Sequence, residues 1–98
     1  MNVKIKSIRF DADKKLLDFI TVKVKKLVQF YDEIIGAEVF LRIDKDQELE
    51  NKVVEIKLEI PGNDLFAKKQ SRTFEESTDN AIDALRSQID KHKTKLRK

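Results

Sequence analysis

In two stretches of this chain, apolar and polar residues alternate one by one. Residues 37–44, AEVFLRID, set Val39, Leu41 and Ile43 on one side. Residues 53–60, VVEIKLEI, set Val54, Ile56, Leu58 and Ile60 on one side and Glu55, Lys57 and Glu59 on the other. A period of two marks a strand with one buried face. The polar run between them, KDQELENK, predicts a hairpin connection. The opening segment VKIKSIRF also alternates, with Val3 and Ile5 against Lys4 and Lys6. Ile8 and Phe10 break the phase, so this strand is expected to end or bulge near Ser7. After PGND, a strong turn signal, LFAKKQSRTF reads as a weaker fourth strand with Leu65 and Ala67 facing in.

Two other stretches follow the helical period. Over residues 14–32, Leu16, Ile20, Val24, Leu27 and Tyr31 recur at spacings of four and three, with Leu17 and Val28 widening the stripe. Asp11 or Asp13 can cap this helix, and Gly36 can end it in a left-handed conformation. Over residues 75–97 the stripe is Thr78, Ile82, Leu85, Ile89 and Leu96, helped by small Ala81. Beyond Ile89 the stripe thins and basic residues crowd several sides, so the last two turns are expected to project past the sheet edge. The order β-α-β-β-β-α predicts an α+β two-layer sandwich, with a four-stranded sheet carrying two helices on one face. Ninety-eight residues predict one domain spanning residues 1–98.

Charge sharpens this picture. Residues 1–26 hold eight basic and three acidic residues, a net of +5, and residues 27–50 hold two and seven, a net of −5. Residues 51–85 hold five and seven, a net of −2, and residues 86–98 hold six and one, a net of +5. Two basic blocks at the chain ends predict one basic face if the fold joins them, and such a face favours a polyanion. The basic residues of the last segment, Arg86, Lys91, Lys93, Lys95, Arg97 and Lys98, are expected to bind phosphate. Cations at a helix end also complement its dipole, which is the plainer account of the same residues.

Other chemistries find little support. The chain has no cysteine and one histidine, His92, too few for a metal site of the usual kind. Residues 44–55 place acids at calcium-loop spacing, but Leu49 stands where the loop's sharp turn needs glycine. Gly36 and Gly62 are the only glycines, so there is no phosphate-cradling loop. No nucleophile–base pair is recognisable, and neither an enzyme nor a cofactor is expected. No apolar run approaches the ~20 residues of a membrane span and no signal-peptide pattern opens the chain, so a cytoplasmic protein without membrane contact is expected. Phe19, Phe30 and Phe40 read as packing residues and do not interleave with the cations as stacking platforms do. That favours shape and phosphate recognition of structured RNA.

Taken in order, several motifs resemble one family. KLVQFYD at residues 26–32 resembles its Lys-Leu-x-x-aromatic-aromatic-Asp. AEVFLRIDK at residues 37–45 is similar to its second strand, and AIDAL at residues 81–85 and KHKTKL at residues 91–96 are similar to its second helix. The family is that of the bacterial ribosome hibernation factors, also called ribosome-associated inhibitors and sigma-54 modulation proteins. The resemblance covers essentially the whole chain and is to the short form, without the long form's separate dimerisation domain. The chain departs in ESTDN, residues 76–80, which lacks a tyrosine often found there, and in Ser87, where the family carries arginine.

The resemblance implies a fold like that of the double-stranded RNA-binding domain. It implies a non-catalytic translation inhibitor of idle or stationary-phase cells that binds the small ribosomal subunit and the 70S ribosome through ribosomal RNA. The implied place is the channel that holds mRNA and tRNA at the decoding centre. The implied RNA contacts are Lys23 and Lys26 in the first helix and Lys91, His92, Lys93 and Lys95 in the second. No small-molecule substrate is expected, and the protein is expected to be a monomer off the ribosome. The residues alone also fit a generic duplex-RNA-binding or RNA-chaperone domain, or a protein–protein adaptor whose basic helix docks on an acidic partner.

Overall fold

A computed structural model describes residues 1–96; Arg97 and Lys98, two of the expected RNA contacts, lie outside the described residues. The elements are β1 (Asn2–Ser7), α1 (Lys14–Lys25), a 3₁₀ turn (Lys26–Gln29), β2 (Gly36–Ile43), β3 (Lys52–Ile60), β4 (Asn63–Ser71) and α2 (Phe74–Leu96). The strands lie in the sheet in chain order, with β1 parallel to β2 and the other two pairs antiparallel. The pairing of Ile5 with Val39, Val39 with Ile56 and Ile56 with Ala67 carries one apolar row across all four strands. This row and its neighbours Ala37, Leu41, Val54, Leu58 and Leu65 share one core with Leu16, Ile20, Val24 and Leu27 of the first helical segment and Ala81, Leu85 and Ile89 of α2. Both helices therefore cover the same face. Alternation in β2 and β3 fixes this register, because a one-residue slip would turn each apolar side chain to water.

β1 stops at Ser7, where its alternation fails. Asp13 caps α1, its Oδ1 accepting from the Leu16 N–H at 2.9 Å, worth about 1 kcal/mol. The regular helix ends at Lys25 instead of running to residue 32, and its last turn tightens into the 3₁₀ turn. Asp32 and Glu33 follow, and acids oppose the negative end of a helix dipole. Gly36 does not end the helix; it is the first residue of β2. An added Cβ there would lie 3.1 Å from the Asn2 carbonyl oxygen, so glycine lets β1 approach. The left-handed glycine is Gly62, in the Pro61–Gly62 turn between β3 and β4. Thr73 opens α2, its Oγ1 accepting from the Glu76 N–H at 3.0 Å.

Two side chains fasten α2 to the sheet. The Ser77 hydroxyl donates to the Lys52 carbonyl at 2.6 Å. The Gln88 amide straddles β4, donating to the Phe66 carbonyl at 2.7 Å and accepting from the Phe66 N–H at 3.4 Å. Phe66 thus meets on its outer edge the donor and acceptor that another strand would offer.

Candidate nucleic-acid interface

α1, with the 3₁₀ turn and residues 30–31 that continue it, runs beside α2 in the same sense, with Lys23 opposite Asp79, Phe30 opposite Arg86 and Tyr31 opposite His92. Between them lies a groove of about 430 Å³ whose walls include Lys23, Lys26, Leu27, Phe30, Asp79, Asp83 and Arg86. Leu27 is buried in its floor, while Lys26 and Arg86 stand exposed on its rim.

The cations are aimed by different partners. Lys23 meets Asp79 at 3.2 Å and lies 5.3 Å from the Phe19 ring centre. The Arg86 guanidinium sits 4.1 Å from the centre of the Phe30 ring. Asp83 and Asp90 are one turn away on the same helix, yet among the described residues Arg86 forms no ion pair with either. A cation held over an aromatic ring keeps its charge, and its N–H groups can still serve an acceptor. Lys93 Nζ donates to the Phe30 carbonyl at 3.0 Å, tying the end of α2 to the segment that follows the 3₁₀ turn. The same carbonyl lies just past the last regular turn, where a cation is favoured.

His92 packs edge-on against Tyr31, with ring centres 5.5 Å apart and Nε2 3.3 Å from the phenol oxygen. The phenol donates to Glu33 Oε2 at 2.9 Å. That bond, burial and the neighbouring Glu33 and Asp32 charges hold Tyr31 above its ordinary pKa of 10.0. With the phenol proton committed to Glu33, its oxygen is left to accept from an Nε2–H of His92. Lys91 and Lys95 are exposed. The basic end of α2 is thus seated on residues 30–31 through His92 and Lys93, while Lys91 and Lys95 face solvent.

Several expectations change here. Phe30 is not a packing residue: it is 36% exposed and carries Arg86 on its ring. The basic block of residues 1–26 divides between two faces. Lys4 and Lys6 belong to the open face of the sheet, away from the helices, while Lys23 and Lys26 reach the groove. Carboxylates also enter the groove, as Asp79 and Asp83. Among the described residues no group of three or more acids, histidines or cysteines lies placed to hold a metal ion.

Residues 3–97 match the family model described as sigma 54 modulation protein / S30EA ribosomal protein. The chain belongs to that family. A relative in Klebsiella oxytoca, a ribosome hibernation promoting factor, is 28% identical over 97 residues, covering 99% of this chain and 98% of its own. A factor of the same name in Pseudomonas putida is 27% identical over 95 residues, covering 97% of this chain and 89% of its own. Among solved structures, a ribosomal subunit interface protein from Coxiella burnetii superposes with a TM-score of 0.86 at 21% identity, over 96% of this chain and 99% of that one. The Protein Y N-terminal domain of Thermus thermophilus gives 0.80 at 20% identity, over 94% and 99%. The two structural likenesses bear on the fold alone.

In this family member, sequence reading took Phe30 for a packing residue and passed over Asp79. Phe30 lies off the Leu27–Tyr31 stripe, and that offset was the available signal. The Lys23–Asp79 pair joins two helices through residues far apart in the chain, and no local pattern announces it.

Proposed function

We propose that this protein is a ribosome hibernation factor. It binds the small ribosomal subunit, alone or within the 70S ribosome, in the channel for mRNA and tRNA, and silences translation in idle or stationary-phase cells by excluding both ligands. Residues 1–98 act as one ribosome-binding unit, monomeric off the ribosome, working in the cytoplasm without catalysis. Lys23, Lys26, Arg86, Lys91, His92, Lys93, Lys95, Arg97 and Lys98 contact ribosomal RNA. The observation that carries this reading is the groove in which cations of two helices converge, Lys26 from the first helical segment and Arg86 from α2, in a chain of this family. Phosphate contacts of this kind position a protein on RNA without chemistry.

The test is competition at fixed salt between the protein and labelled initiator tRNA on programmed small subunits. A steric plug and tRNA each weaken the other's binding by the same factor, because linkage is reciprocal. Simultaneous binding without mutual effect rejects the plug. Sedimentation of a cell extract distinguishes the broader readings. A protein of duplex RNA in general would be absent from the small-subunit and 70S fractions.

A further inference from the structure

The two carboxylates are out of place in a groove built only for phosphate. Asp79 and Asp83 lie one turn apart on α2, and both line the hollow between Lys26, Phe30 and Arg86. Asp79 is engaged by Lys23 at 3.2 Å. Asp83 is exposed and, among the described residues, forms no ion pair. An anion in this position repels a phosphate. It accepts hydrogen bonds from the edge of a base, as acidic side chains do with base amino groups.

The rest of the hollow suits a base as well. Its volume, about 430 Å³, lies within the ~300–1,000 Å³ of ordinary small-ligand pockets. The Arg86 guanidinium over the Phe30 ring brings two planar groups together, and unpaired RNA bases stack on both aromatic rings and guanidinium planes. Lys26 on the rim serves the phosphates that flank an extruded nucleotide. Guanine is the RNA base with two adjacent donors, N1–H and N2–H, on one edge, and these match the two oxygens of one carboxylate.

We infer that the α1–α2 groove receives one unpaired guanine, stacked on the Arg86–Phe30 pair and read through its N1–H and N2–H by the Asp83 carboxylate. This rests on the RNA-binding reading of the same groove and adds base selectivity to it. The protein then has a preferred nucleotide within its site, and its fit depends on an RNA conformation in which that base is unstacked.

The probe is kethoxal, which reacts at N1 and N2 of unpaired guanines. Small subunits are modified alone, with wild-type protein, and with Asp83→Asn or Asp83→Glu. Each complex is formed at saturating protein and verified by co-sedimentation. One guanine is expected to be protected at least about tenfold by the wild type, the discrimination of one bidentate base contact. Protection is expected to persist with Asp83→Glu and to disappear with Asp83→Asn. A protein that binds but protects no guanine, or protects it equally with Asp83→Asn, overturns the inference and leaves phosphate binding standing. Loss of all binding by Asp83→Asn also overturns it, since removing an anion from a phosphate groove should otherwise tighten binding. Failure of the wild type to sediment with subunits rejects the proposed function itself.

Discussion

The open face of the sheet and the helix groove are both rich in lysine and arginine, but they use them differently. On the open face Lys57 meets Glu38 at 3.2 Å and Arg42 meets Glu55 at 3.3 Å. Lys4 stands opposite Glu38, and Lys68 opposite Glu55. These cations lie against cross-strand acids, which offset their charge locally. On the helix side, Lys23 is paired with Asp79, but Arg86 in the groove lies on an aromatic ring and Lys93, at the end of α2, on a backbone carbonyl, two partners that direct a cation without cancelling its charge. A count of basic residues does not distinguish the faces. What each cation leans on does.

The largest expected effect separates the two faces by charge reversal. Changing Lys91, Lys93 and Lys95 to Glu is expected to weaken co-sedimentation with small subunits by about 10³-fold or more, since three phosphate contacts become repulsions. Stability should fall by roughly 0.5 kcal/mol or less per site, with Lys93 the most affected because it loses the bond to Phe30. The matching change of Lys4, Lys57 and Lys68 should leave binding within about threefold. It should cost stability instead, ~0.2–1 kcal/mol for each like-charge pair created across strands, read by urea denaturation. Reversed outcomes would place the working surface on the sheet.

Salt gives the next effect. With roughly four to six phosphates contacted, log K should fall with log salt at a slope of about −3 to −5, and the sheet-face variant should keep the wild-type slope. A flat response would remove phosphate from the account of binding and favour an acidic protein partner.

A third expectation concerns the sheet's own edge. Gln88→Ala removes both bonds to the Phe66 backbone and should cost ~0.5–1.5 kcal/mol while leaving subunit binding unchanged. Faster hydrogen exchange of the Phe66 amide is the measurement. An unchanged rate would mean that the amide is protected by other means.

The smallest effect is a matter of pH. Asp44 is held below its ordinary carboxylate pKa, first by the bond from Gln70 Nε2 at 3.0 Å and then by the Asp46 N–H. A lowered pKa contributes stability that is present above the unfolded value of 3.8 and is lost as pH falls through the folded one. Gln70→Ala should raise the Asp44 pKa, so the acid-side loss begins at a higher pH, as a carboxyl NMR titration would follow.

The fold was legible because its signals are local. The alternation of Val39, Leu41 and Ile43 and of Val54, Ile56 and Leu58 sets the sheet, and Asp13 stands before the helix it caps. The errors arose where one residue type serves two ends. Glycine both stops helices and admits close strands, and only the nearby Asn2 carbonyl reveals which applies at Gly36. Much of the site was less legible for a related reason. Lys23 and Lys26 could be suspected from charge. That Lys23 leans on Asp79, or that Phe30 faces Arg86, depends on packing between distant segments.

The placing of β1 has a further consequence, in time instead of space. β2, β3 and β4 are neighbours both in the chain and in the sheet, so they can assemble through short closures. β1 pairs only with β2, in parallel, across the whole of residues 8–35. Its place does not exist until β2 is formed, and long closures delay pairing. β1, made before the other three strands of its sheet, is therefore expected to be the last of them secured. Its amides should exchange with solvent through a smaller opening than those of β3, as the outermost step in both folding and unfolding.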